Sequence, residues 1–228
     1  PSNAAVDNII IKIMEEGFKD GGGSRYNPSM IRVGVGQSPA VKDVALESKV
    51  DSILQENLDL GRLESSIAGY KMELQRIQAD IARLRRRVHA LTTACQWPLS
   101  KDWEIRIDEE TFEQSGRVYF VNHKEKNTTF EVPPPPEPGE TQFDATSMPE
   151  YRAHIGRIVK LVENYNSITS KLERCTIVRG AVGSNNNERN MFQVRQQLET
   201  HILDSVHLVM TTLGTAGHRV LEAANKFE

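Results

Sequence analysis

No apolar run in this chain approaches the roughly 18 residues that cross a bilayer, so no membrane-spanning role is expected. Cysteine is almost absent. Cys95 and Cys175 are too few for the disulfide scaffold of a small secreted domain, so a reducing intracellular setting is expected. Neither has a second Cys or a His at metal-site spacing, and no structural zinc or other metal site is expected. Aromatic residues are scarce at 6% while charged ones reach 26%, a balance that suits long exposed helices better than one dense globule. The net charge of −3 neither announces nucleic acid nor excludes it, because local patches carry that signal. No signal peptide or initiating Met precedes Pro1, and the chain is expected to begin inside a longer protein. Gly-x-x-x-x-Gly-Lys-Ser/Thr and Asp-Glu-Ala are both missing. Gly34-Val35-Gly36 lacks a third glycine and is not a phosphate loop.

What is present is a helical pattern of unusual length. Ala5, Ile9 and Ile13 mark a first helix that stops at Gly17, followed by a flexible turn at Gly21 to Ser24 and a short strand at Met30 to Val35. From Leu60 the apolar residues alternate steps of three and four through Leu63, Ile67, Tyr70, Leu74, Ile77, Ile81, Leu84, Val88 and Leu91, the seam of a coiled coil. Pro98 stops it. Tyr151, Ile155, Ile158, Val162, Tyr165, Thr169 and Leu172 repeat the alternation, so a second helix is expected to return along the first. It breaks at the turn residues between Gly180 and Asn187, and a third helix runs from about Glu188 to Asp204. An outgoing leg from Leu46 to Ala94 would span ~70 Å at 1.5 Å per residue, and the two return pieces nearly match it. Val206 to Thr212 reads as a buried strand, Leu213 to Gly217 as a turn, and His218 to Asn225 as a helix.

Between the two legs lies Gly116 to Pro133, preceded by Trp103-Glu104 and running into a proline tract that ends at Pro138. With its short strands, Trp and closing Pro, this stretch resembles a WW domain. The resemblance implies that Trp103 and Pro133 stack beside Phe120 in a small core and that Asn122 ties the middle strand to a loop. It implies a proline-gripping slot of Tyr119 and Phe130 and a second pocket of Val121 and His123, edged by Lys126 and Thr128. Such a slot packs flat aromatic faces on the rings of a preformed polyproline helix. Phe130 replaces the usual second Trp and loses its indole N–H donor. Ser100 stands where the family usually has Pro, and the loop from Asp108 to Ser115 is longer than typical. A module that caps the helices and binds nothing is the alternative. Arg83 to Arg87 is read as a solvated helix face, with a nucleic-acid phosphate contact as its functional alternative. His89, His154, His201 and His218 are read as ordinary helix residues.

The two ends carry a second resemblance. Pro1-Ser2-Asn3-Ala4-Ala5-Val6-Asp7, Ile31-Arg32-Val33-Gly34, Val41 to Glu47 and Met210-Thr211-Thr212-Leu213-Gly214 resemble segments of the first motor domain in senataxin-like superfamily 1 helicases, around the insertion called the prong. The resemblance implies that Ser2 and Asn3 touch the nucleic-acid backbone and that Thr211 and Thr212 line the same track. Both side chains at the strand-to-helix turn can donate to phosphate oxygens without reading bases. Plain capping of the first helix by Ser2 or Asn3 is the competing reading.

The expected fold is therefore α/β: a split, partial RecA-like domain interrupted by a long antiparallel helical arm with a small all-β WW module at its tip. The expected parts are residues 1–40 and 205–228 for the two motor blocks, 41–96 for the outgoing prong helix, 97–138 for the WW domain and proline tract, and 149–204 for the returning helices. The expected function is an internal segment of an ATP-dependent RNA or DNA helicase whose WW module binds proline-rich partners. The alternative is a non-enzymatic coiled-coil and WW adaptor. The segment itself is expected to hold no cofactor and no catalytic residue, with ATP and magnesium implied for the parent protein. Single-stranded nucleic acid and a proline-rich peptide are the expected partners, and the nucleus the expected location.

Overall fold

The computed structural model describes residues 2–95, 99–137, 148–182, 187–217 and 219–222. Expectations that fall on Pro98, Pro138, the turn at 183–186, His218 and residues 223–228 lie outside the described residues. The elements run α1 (Asn3–Glu16), β1 (Phe18–Lys19), β2 (Arg25–Tyr26), β3 (Met30–Arg32), a 3-10 turn (Pro39–Val44), α2 (Leu46–Glu56), α3 (Leu60–Ala94), β4 (Trp103–Ile107) and α4 (Phe112–Ser115). They continue with β5 (Val118–Asn122), β6 (Asn127–Thr129), α5 (Pro149–Val182), α6 (Asn187–Ser205), β7 (Leu208–Met210), α7 (Leu213–Ala216) and α8 (Arg219–Glu222). The chain divides into two compact units: Pro1–Tyr70 with Ser170–Glu228, and Lys71–Thr169. No described helix is long and apolar enough to cross a membrane.

In the first unit, residues from the two ends of the sequence share one sheet. β3 pairs in parallel with β7, placing Met30 opposite Leu208, Ile31 opposite Val209 and Arg32 opposite Met210. Every residue of β3 is buried, as in a parallel strand covered on both faces. Met30 packs with Val6 and Ile10 of α1 and with Val41. Ile31 joins Val50 and Leu54 of α2 and Val194, Leu198 and Ile202 of α6. Helices therefore cover a small sheet from both sides, an α/β layering.

In the second unit α3 and α5 run antiparallel. Gln78 donates to the Tyr165 hydroxyl at 3.0 Å, and nearer the chain's midpoint Tyr151 packs on the cluster that contains Leu91. β4, β5 and β6 form an antiparallel sheet. One face of it packs Ile105, Ile107 and Phe120 against Leu91, Ala94, Leu99, Phe112 and Met148.

Several sequence expectations change. The outgoing leg is two helices, because Asn57 ends α2 and Asp59 starts α3. The Asn57 side chain donates to the Ile53 carbonyl at 2.7 Å, and Asp59 Oδ1 accepts the Arg62 N–H at 2.8 Å. Two cap residues in succession stop a helix whatever the apolar spacing around them. The returning seam holds at Tyr151, Ile158, Tyr165, Thr169 and Leu172 and departs at two positions. Ile155 and Val162 are exposed, whereas His154, Leu161 and Ile168 turn inward with Ile158 and Tyr165. The strand expected over Val206 to Thr212 is only Leu208–Met210, and the one expected over Met30 to Val35 stops at Arg32. Leu213 to Gly217 is largely the short helix α7, and the long loop at Asp108 to Ser115 contains α4.

The inward histidines give the fold a pH dependence. Burial pushes the His201 imidazole below its ordinary 6.5, and Arg174 adds to this against Glu173 and Asp204; burial and Arg87 do the same for His154, against Glu109. Ser170 Oγ lies 3.1 Å from His201 Nε2. The unfolded chain therefore takes up protons below pH 6.5 before the folded one does, so stability is full above that pH and falls as the solution is acidified. A thermal melt at pH 7.5 and again at pH 5.5 should show a larger decrease for wild type than for His201→Gln. Equal decreases would remove His201 from the explanation.

Candidate functional site

The parallel pairing of β3 and β7 brings both carboxyl ends to one edge. The chain leaves β3 through Val33-Gly34-Val35-Gly36 and leaves β7 through Thr211-Thr212 into α7. The amino end of α1 meets the same edge. Ser2 caps that helix, its Oγ accepting the Ala5 N–H at 3.3 Å. Asn3 is the first residue of the helix and its side chain makes a different bond, for its Oδ1 accepts from Arg32 Nη2 at 2.7 Å.

Arg32 is the centre of the arrangement. Its side chain is fully buried, and so, nearly, is the Asp7 carboxylate that meets it. Nε donates to Asp7 Oδ1 at 3.0 Å, and Nη1 donates to the Val33 carbonyl. The other Asp7 oxygen accepts the Ser38 N–H at 2.7 Å. Two glycines permit the close approach. Gly36 has φ +71°, and a Cβ there would sit 2.8 Å from Asn3 Nδ2. Gly34 has φ +117°, and a Cβ there would lie 3.1 Å from both Arg32 Nη1 and Thr215 Oγ1. Thr215 Oγ1 in turn is 3.0 Å from Thr212 Oγ1. Thr211 is half-buried beside it.

Asn3 and Thr212 are thus linked at one strand-end edge through Arg32, Gly34 and Thr215, with Ser2 and Thr211 beside them in the chain. The adjoining cavity, lined by Arg32, Val33, Gly34, Leu46 and Thr215 among others, holds about 200 Å³. That is below the roughly 300–1,000 Å³ of pockets that enclose a drug-sized ligand. Gly34→Ala should lower the stability of the first unit by about 1–3 kcal/mol, since it combines a backbone conformation that L residues avoid with a crowded Cβ. Gly214→Ala, in open space at ordinary φ, should stay within about 0.5 kcal/mol. Urea denaturation of both variants checks the difference, and equal effects would mean that the approach at Gly34 is not tight.

The second unit places the other expected site residues on the two faces of its sheet. Trp103, Phe120 and Asn122 share the face that packs inward. Asn122 Oδ1 accepts the N–H groups of Lys124 (2.9 Å) and Glu125 (3.0 Å), tying β5 to the turn before β6, and Pro133 is buried. Glu104, Arg106, Tyr119, Val121 and Thr128 share the opposite face by register. There the Tyr119 and Phe130 rings stand 6.1 Å apart at 56°. His123 Nε2 lies 2.8 Å from Glu104 Oε2, and Lys126 takes a positive φ in the turn. Burial pushes the Glu104 carboxyl upward, but the hydrogen bonds and charges of Arg106 and His123 outweigh it and hold the group below its ordinary 4.5.

The basic run on α3 keeps the expected solvated face, with Arg83, Arg85 and Arg86 exposed, and three of its arginines also pair with the connection between β4 and β5. Arg87 grips Glu109 with two bonds of 2.9 and 2.8 Å, and its guanidinium lies 5.6 Å from the Phe112 ring centre. Arg83 and Arg86 both pair with Glu113. The run therefore holds the long β4–β5 connection and α4 against the helix.

Sequence reasoning quoted Asp7 and Arg32 within two segments but gave neither a role, and it did not single out Ser38. The available signal was a charged residue inside the apolar run Met30-Ile31-Arg32-Val33, which requires a buried partner.

Two comparisons bear on this geometry. The AAA domain family matches residues 1–228. A protein of Dictyostelium discoideum named as a probable helicase is 30% identical over 88 residues, which are 37% of this chain and 9% of that protein. The match therefore spans less than a tenth of the relative's length.

Proposed function

Since the chain belongs to the AAA domain family along its whole length, we propose that it is an internal segment of an ATP-dependent, senataxin-like superfamily 1 helicase that carries an inserted WW module. The observation that carries this reading is the shared edge of β3 and β7, where Asn3 and Thr212 come from opposite ends of the sequence. In open α/β sheets ligands sit outside the carboxyl ends of strands, and hydroxyl and amide side chains at such an edge can donate to phosphate oxygens. Ser2, Asn3, Thr211 and Thr212 then contact the backbone of single-stranded RNA or DNA. ATP and magnesium act elsewhere in the parent protein, in the nucleus. In this reading residues 1–40 and 205–228 are motor blocks, 41–96 and 149–204 the legs of an arm, and 97–138 the WW domain with its proline tract. Tyr119 and Phe130 grip a proline-rich peptide while Val121, His123, Lys126 and Thr128 receive its next residues. An adaptor built only of coil and WW module leaves the parallel pairing of the chain's two ends without a role.

Fluorescence anisotropy with a labelled single-stranded oligonucleotide, using the full-length protein, tests the motor reading. Thr212→Val should weaken binding several-fold and leave ATP binding unchanged. Unchanged oligonucleotide affinity in both Thr212→Val and Asn3→Ala would remove the proposed track. Titration with a Pro-Pro-x-Tyr peptide tests the slot, and absence of binding at millimolar peptide in the folded protein would make the module a cap.

A further inference from the structure

We propose that Arg32 is a positioning residue for nucleic-acid binding: it sets the Asn3 amide so that its NH2 group, and not its carbonyl, faces the passing phosphate backbone. The inference rests on the proposed reading of Asn3 as a backbone contact, and adds a group that never touches the ligand.

The argument is one of donors and acceptors. A guanidinium only donates, so the Asn3 atom within 2.7 Å of Arg32 Nη2 must be the amide oxygen. That assignment leaves no freedom to the amide flip, which is otherwise ambiguous. Nδ2 then lies over Gly36, where the missing Cβ leaves it room. An NH2 group held there offers two N–H donors and no acceptor, which matches an anionic oxygen and repels nothing on it. Were the amide reversed, its carbonyl oxygen would face the phosphate and oppose binding.

Arg32 is itself fixed. Its fork is divided among Asp7, the Val33 carbonyl and Asn3, and Asp7 is fixed by the Ser38 N–H. The pair is almost wholly buried. A buried ion pair is often no more stabilising than apolar residues of the same size, and its best-attested use is to specify one arrangement. Here the arrangement specified includes the rotamer of a surface amide at the α1 terminus. Lysine cannot replace this role, because an ammonium is a point charge without the planar fork that reaches three partners at once.

The test uses the full-length protein, a labelled oligouridine of roughly a dozen nucleotides, and anisotropy titrations over a range of salt. Asn3→Ala should weaken binding about ten-fold and leave the salt slope nearly unchanged, because a neutral amide releases no counterion. Arg32→Lys should weaken it by a similar factor, and Arg32→Lys with Asn3→Ala should be no weaker than either alone, since both act through one amide. Asn3→Asp keeps the acceptor that Arg32 needs but replaces NH2 with a second anionic oxygen, so it should fold normally and bind more weakly than Asn3→Ala. If Asn3→Ala binds as wild type, the reading of Asn3 as a contact fails and the inference falls with it. If Asn3→Ala is weakened while folded Arg32→Lys is not, or if the two effects add, the positioning role is overturned and the proposed track survives. Should Arg32→Lys fail to fold, Asn3→Asp decides, and affinity equal to wild type there overturns the proposal.

Discussion

Asp7→Ala should destabilise the first unit by about 3–5 kcal/mol, the usual effect of removing one partner from a buried ion pair. The substitution leaves the Arg32 guanidinium inside the protein without its carboxylate, and Arg32 is fully buried. It also strands the Ser38 N–H that donates to the second carboxylate oxygen, adding the desolvation of a backbone donor. Asp7→Ala with Arg32→Met should recover much of the loss, because an apolar side chain of similar length needs no partner. Guanidinium denaturation of the single and double variants measures both. A single-variant effect under about 1 kcal/mol would mean that water reaches Arg32 in the folded protein, and the network could not then hold Asn3.

The roles of Asp7 and Arg32 depend on a contact between distant parts of the chain. Asn3 and Asp7 are four residues apart on α1 and therefore share a face, but the partner that makes the spacing meaningful lies on β3. That the two ends of the chain belong to one α/β domain was readable in outline, because apolar runs and turn residues stand at both ends, but the parallel pairing of β3 with β7 was not. Nor was the extent of β3, since β-propensity alone does not say where Gly34 turns the backbone away. The break at Asn57–Asp59 was present in the sequence as two capping residues and was overridden by the heptad spacing downstream of it. The returning seam was right at five of its seven positions and failed at Ile155 and Val162 for a related reason. Ile155 and Val162 are apolar and His154 is not, so residue type selected one side of the helix and packing selected its neighbour. The pairing of Arg83, Arg86 and Arg87 with Glu109 and Glu113 joins a helix to a distant connection. No periodicity along one segment carries such information.

In the second unit two phenylalanines ten residues apart should behave in opposite ways. Phe120→Ala should lower stability by about 3–5 kcal/mol, because Phe120 is 3% exposed and packs with Leu91, Leu99, Ile105 and Phe112. Collapse around the vacated volume is limited, since both the helix and the sheet contribute to that cluster. Phe130 is 60% exposed and meets Tyr119 across the outer face. Phe130→Ala should therefore change stability by less than about 1 kcal/mol, as surface substitutions do. If the slot grips proline rings, the same variant should lose at least ten-fold in affinity for a Pro-Pro-x-Tyr peptide, because half of its aromatic surface is gone. Thermal melts and peptide titrations on the two variants separate the roles. A Phe130→Ala protein that is unstable would assign Phe130 to the core, and one that is stable and binds peptide as wild type would leave the Tyr119–Phe130 pair without the proposed task. The contrast is useful because a general loss of folding cannot imitate it: only a ligand-facing ring can be removed with its neighbours undisturbed and the affinity reduced.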